Sequence, residues 1–157
     1  MLPSYRSLAF DDMPRPDYAD MLIAPMPPGS STDPREWAEL FFNVSSMPGW
    51  VRAAVAVRQA IVPLLGIPVA QLDTFRVSRV EGDEALLSVD DKHLNFRCAV
   101  GVDAATQLVR VTTAVTLKGW RGRLYFAPVQ LGHPVVVNSM LKRAMKNHSQ
   151  SSRFSQA

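Results

Sequence analysis

From Thr74 to Val115 the apolar residues return at every second position, and this two-residue period constrains the fold more than any other feature of the chain. Phe75 and Val77, then Ala85, Leu87 and Val89, then Leu94, Phe96, Cys98 and Val100, then Val109, Val111 and Val115 mark one face of four successive strands. Thr74, Arg76, Ser78, Glu84, Ser88, His93, Asn95, Arg97, Arg110 and Thr112 fall on the other face. This is the pattern of an antiparallel sheet with one side in the core and one in water. A one-residue slip would carry the whole apolar set into water, so turn lengths can be tested against the faces. A two-residue turn at Asp90 and Asp91 sets Leu87 opposite Leu94, Ala85 opposite Phe96 and Glu84 opposite Arg97. A three-residue loop of Glu81, Gly82 and Asp83 sets Val77 opposite Leu87 and Phe75 opposite Val89.

The stretch from Gly122 to Lys146 has the helical period instead. Phe126, Val129, His133, Val137, Met140 and Ala144 share one stripe, with Lys142 and Lys146 opposite. Pro128 and Pro134 interrupt it, which predicts either a kinked helix or two helical pieces with His133 capping the second. Upstream, Asp17 to Met26 alternates weakly and reads as a strand. Thr32 or Asp33 can cap a short helix that has Pro34 in its first turn and Trp37, Leu40 and Phe41 on its apolar side. Trp50, Ala54, Val57, Ile61 and Leu65 form the stripe of a second helix, broadened by Val51, Val55 and Val62 and stopped by Gly66 and Pro68. Residues 1–16 read as an extended leader on the surface, 17–147 as a single domain, and the serine-rich residues 148–157 as a disordered tail.

A chain of 157 residues is long enough for one core that removes about two-thirds of its unfolded surface from water. The net charge of +3 is small and gathers at Lys142, Arg143, Lys146 and Arg153, with no interleaved aromatics, so no nucleic acid is expected as partner. Cys98 is the only cysteine, which rules out an internal disulfide and a cysteine-rich zinc site and suits the cytoplasm. No run is long enough to cross a membrane, and the first residues lack the basic start and apolar core of a signal peptide. Phosphate-binding glycine loops, serine nucleophile elbows and zinc spacings are absent, so neither a cofactor nor a metal is expected.

The segments DYADMLIAPMPP, DPREWAELFF, MPGWVRAAVAVRQAIVPLLGI, DDKHLNFR and GRLYFAPVQLGHPVVVNSMLKRAM resemble a bacterial family known only as a domain of unknown function. Its members usually read PFH where this chain has Leu131, Gly132 and His133. The element order is similar to that of the helix-grip superfamily of START, birch-pollen-allergen and polyketide-cyclase domains (SRPBCC). That resemblance implies an α+β fold: a curved antiparallel sheet wrapped around a long kinked C-terminal helix, with two short helices after the first strand. It also implies a cavity for an apolar small molecule between sheet and helix. The residues expected to line it are His133, Tyr125, Phe126, Val129 and Met140 from the helix, Phe75 and Phe96 from the sheet, and Trp50.

His133 is the sharpest candidate, an ionisable group on an otherwise apolar stripe with no carboxylate close to it in sequence. It can orient a ligand, move a proton or cap a helix, and Tyr125 can bring a hydroxyl into the same space. Three readings stay open: a module that binds an apolar molecule, a cyclase, dehydratase or isomerase using His133 and Tyr125, and an interaction domain with a filled core that docks a protein partner or a second copy. His93, Asn95, Arg97 and Glu84 read as an ion-pair ladder on the wet face, and Asp90 and Asp91 as turn residues.

Overall fold

The two-residue period becomes a five-stranded antiparallel sheet in the computed structural model, which describes residues 5–43, 47–66 and 76–154, side chains at 61, 65 and 148–154 excepted. The elements are β1 (Tyr18–Pro25), α1 (Pro34–Phe42), α2 (Gly49–Ile61, continued by a 3-10 turn at Val62–Leu65), β2 (Val77–Glu81), β3 (Glu84–Asp90), β4 (Leu94–Asp103), β5 (Leu108–Leu117) and α3 (Gly119–Phe154). The strands lie in the order β1-β5-β4-β3-β2. The fold is α+β and helix-grip-like, a curled sheet with one long C-terminal helix and two short helices after the first strand. Among the described residues, no helix is long and apolar enough to cross a membrane.

The inner face is the expected one. Ala85 and Leu87 of β3, Cys98, Val100 and Val102 of β4, and Val109 and Val111 of β5 meet Trp37, Ala38 and Phe41 of α1, Val51 of α2, and Val137, Met140, Leu141 and Ala144 of α3. Asp33 caps α1 by accepting a hydrogen bond from the Arg35 amide at 2.8 Å, with Pro34 at the first helical position.

The strand partners differ from the expected register while the faces survive. Leu87 lies opposite Cys98 rather than Leu94, Ala85 opposite Val100 rather than Phe96, and Glu84 opposite Gly101 rather than Arg97. Pairing stops at Asp90 and Asn95, and the turn between them is wider, closed by the Asp91 amide donating to the Leu94 carbonyl at 2.8 Å. Each partner moves four positions along β4, an even number, so side chains keep their side. The β2–β3 turn is shorter than expected, with Glu81 opposite Glu84 around Gly82 and Asp83. A bulge between Val77 and Arg79 takes up the difference and restores the expected pairing of Val77 with Leu87.

The outer face is not wet. The leader folds back over it as a strap through a 3-10 turn at Leu8–Phe10, and Ala9 and Met13 pack on Leu86, Ala99 and Ala114. Glu84, only 3% exposed, accepts from the Ser7 hydroxyl (3.0 Å), the Leu8 amide (2.7 Å) and Arg110 Nε (3.2 Å). Arg97 is also buried and grips Asp12 and Asp90, each at 2.7 Å; its hydrogen bonds hold the Asp12 carboxyl below the ordinary carboxylate value. Of the exposed ladder expected from His93, Asn95, Arg97 and Glu84, Arg97 and Glu84 instead belong to two arginine clusters that fasten the strap, and neither His93 nor Asn95 joins them.

Two helices also depart from expectation. On α2 the inward residues are Val51 and, past the helix end, Val62, whereas Trp50 is 48% exposed and Val57 also faces out. The apolar arc of α2 is too wide to name one face, and the side that wins places Arg58 against α3. Helix α3 runs unbroken through Pro128 and Pro134, so His133 is an interior helical residue and not the cap of a second piece. Both prolines are exposed, as are Leu124 and Gln130 four residues back, so the carbonyls left without a donor can be solvated. The helix continues to Phe154, beyond the expected boundary at Asn147.

Gly122 sets how α3 enters. It is buried, and a Cβ there would collide with the His93 carbonyl oxygen, which already accepts from the Lys118 amide at 2.7 Å. Gly122→Ala is expected to cost about 1–3 kcal/mol, measured as a lowered urea midpoint, because backbone and not a flexible side chain stands in the way. An unchanged midpoint would mean that α3 does not start against His93.

Candidate functional site

Alternation along β1 turns Tyr18, Asp20, Leu22 and Ala24 inward and leaves Met21 and Ile23 exposed. Asp20 pairs with Thr113 of β5, and Thr113 pairs with Cys98 of β4, so a short polar row crosses an otherwise apolar inner face. His133 comes down onto that row from α3. Its Nδ1 lies 2.9 Å from Asp20 Oδ2, and the Tyr18 hydroxyl donates to the same oxygen at 2.6 Å. The Tyr18 ring meets Phe126 and His133 edge-on, with centroids 5.2 and 5.6 Å away. The Asp20 and His133 side chains are each 15% exposed.

The electrostatics define the proton positions. Burial pushes the Asp20 carboxyl up, but hydrogen bonds from His133 and Tyr18 and the attraction of His133 outweigh it, and the group sits below the ordinary carboxylate value. An ionised carboxylate only accepts, so Nδ1 of His133 carries the hydrogen that points at Asp20. Nε2 is left for another partner. Burial, with Asp20 as hydrogen-bond acceptor and negative neighbour, pushes the Tyr18 phenol up, so it stays a donor. Burial also raises the Cys98 thiol to about 12, which removes it as a nucleophile at neutral pH. Asp20 Oδ1 and Thr113 Oγ1 are buried side by side on this row without a well-formed hydrogen bond, yet the Thr113 hydroxyl is near enough to Asp20 to help hold its carboxyl down, so the two largely answer each other.

The expected site residues separate. His133 points inward with buried Phe126 and half-buried Val129 on its stripe, and Met140 lies farther along in the main core. Phe96 packs on the edge of that core. Tyr125 is elsewhere: its hydroxyl accepts from Arg58 Nε, with the Arg58 guanidinium carbon 5.3 Å from the ring centroid, so it ties α2 to α3. Trp50 is exposed, and Phe75 lies outside the described residues. Tyr18 and Asp20 are the members that the sequence reading does not single out. The available signal is the same one that marks His133, a titratable group at an inward position of an apolar alternation.

A family model described as a protein of unknown function, DUF2867, matches residues 13–140. The chain belongs to the DUF2867 family. No curated protein and no solved structure matches the chain. The DUF2867 match contains Tyr18, Asp20, Thr113 and His133 together, and begins at Met13, the buried end of the strap. The family description carries no activity, and a fold of this kind does not by itself fix one.

Proposed function

We propose that this DUF2867 domain binds a small molecule, apolar over most of its surface and bearing one hydroxyl or carbonyl, at the seam between β1 and α3, with that polar group on His133. The observation that carries this reading is the Tyr18–Asp20–His133 chain: two donors converge on one carboxylate oxygen inside an apolar face, and the His133 ring so held leaves Nε2 for another partner. Apolar walls with a few convergent polar groups are what small-molecule sites are made of. The helix-grip-like architecture supports the same reading by analogy with START and polyketide-cyclase domains.

The Nδ1 contact favours a second reading, in which the bound molecule is also turned over. Asp20 orients the ring and His133 Nε2 acts as the base in an isomerisation or dehydration, with Tyr18 rather than Tyr125 supplying the neighbouring hydroxyl.

The test uses N-phenyl-1-naphthylamine as a fluorescent probe of the folded chain, displaced by 1-naphthol or by naphthalene. Wild type should take up the probe stoichiometrically, and naphthol should displace it about fivefold more tightly than naphthalene, the effect of one hydrogen bond of about 1 kcal/mol. His133→Leu should abolish that preference. Equal displacement by both compounds in wild type, or uptake only on partial unfolding, would overturn the proposal.

A further inference from the structure

We infer that the pocket between α1 and the β2–β3 hairpin is a second binding site, for a small amphipathic monoanion: a carboxylate carried on an aliphatic body. The pocket has a volume of about 440 Å³, within the range of small-molecule sites. Its floor is apolar, made by buried Ala38 and Leu87 with half-buried Phe42 and Val77. Its rim carries Arg35 and Glu39 from α1 and Arg76 just before β2, all exposed.

Two guanidinium groups and one carboxylate line it, which leaves one positive charge over among these lining residues. Arg79, Arg97, Arg110 and Arg123 each sit within salt-bridge distance of an aspartate. Among the described residues, Arg35 and Arg76 have no such partner; Arg6, Arg15, Arg52, Arg58, Arg121 and Arg143 lack one too, but only Arg35 and Arg76 line this pocket. A guanidinium fork matches a carboxylate with two parallel hydrogen bonds, and the apolar floor matches a hydrocarbon chain. Glu39 repels added negative charge, so a monocarboxylate fits better than a phosphate ester or a nucleotide. A neutral alcohol of the same length would fill the floor and leave the cations in water.

This site is independent of the His133 seam. The pocket borders β2 and β3, at one edge of the sheet, whereas Tyr18 and Asp20 stand on β1 at the other. Failure of one reading therefore leaves the other standing.

Calorimetric titration of the full chain with octanoate, and with 1-octanol as the neutral analogue, tests the inference. Octanoate should bind about tenfold more tightly than octanol, as a charge-assisted pair predicts. The double variant R35Q/R76Q, changed only at exposed positions, should remove that preference, and Glu39→Gln should strengthen octanoate binding. His133→Leu should leave octanoate binding unchanged while abolishing the naphthol preference. Undetectable octanoate binding in wild type, equal binding of octanoate and octanol, octanoate binding that survives R35Q/R76Q, or its loss in His133→Leu would each overturn the assignment.

Discussion

Replacing Arg110 with methionine is expected to cost about 3 kcal/mol, the low end of what removing one partner of a buried ion pair costs. Glu84 is buried, and Arg110 reaches it across the sheet by lying over Gly101, which pairs with both residues. A Cβ at position 101 would lie 2.7 Å from the guanidinium carbon, so the glycine is there to let the arginine pass. Methionine keeps most of the stem that packs over Gly101 and removes the charge, leaving the carboxylate with only the Ser7 hydroxyl and the Leu8 amide. The loss should appear in the urea midpoint at neutral pH. The double variant E84Q/R110M should recover at least half of it, because glutamine still accepts from Ser7 and Leu8 but carries no charge. An exposed pair gives the contrast: Arg79 and Asp11 are each about half exposed, and Arg79→Met should cost no more than about 1 kcal/mol. Equal losses at Arg79 and Arg110 would mean that burial of Glu84 is not what makes the pair matter.

Which side each strand turns inward is legible in the sequence because the period is two and every error of register by an even number leaves the faces unchanged. The partners are not legible for the same reason. A turn between Asp90 and Asn95 shifts Leu87 from Leu94 to Cys98 at no cost in burial, and a bulge beside Ser78 cancels a shortened turn at Gly82. The strap is hidden because its anchors, Ser7, Ala9 and Asp12, follow no period and gain meaning only once Glu84, Ala99 and Arg97 are known to share the outer face. On α2 the opposite difficulty arises: Trp50 and Val57 look like core, yet the helix has more apolar residues than its contact can cover. His133 is visible as a polar interruption of a strong stripe. Asp20 interrupts a weak one, since the outward set on β1 contains Met21 and Ile23 and is at least as apolar as the inward set of Tyr18, Asp20, Leu22 and Ala24. Only the packing of α3 against β1 shows which set faces in.

Asp20→Ala is expected to cost about 2–4 kcal/mol, because the Tyr18 hydroxyl and the His133 Nδ1 hydrogen would both lose their acceptor at a mostly buried position. Asp20→Asn supplies a carbonyl oxygen in the same place and should cost about 1 kcal/mol near pH 7. The two variants also separate hydrogen bonding from charge. The Asp20 carboxyl is held below its ordinary value in the folded chain, so its charge contributes stability that is fully present above the unfolded carboxylate value of about 3.9 and is lost as pH falls through the folded value. The gap in stability between wild type and Asp20→Asn should therefore close as pH falls below the unfolded carboxylate value. Asp12 and Asp103, whose carboxyls are also held low, are present in both proteins and cancel in the difference. Urea titrations at several pH values measure that gap directly. A gap that does not change below pH 4 would show that Asp20 is not the ionised partner of His133, and an Asp20→Ala cost below about 0.5 kcal/mol would show that neither donor depends on it.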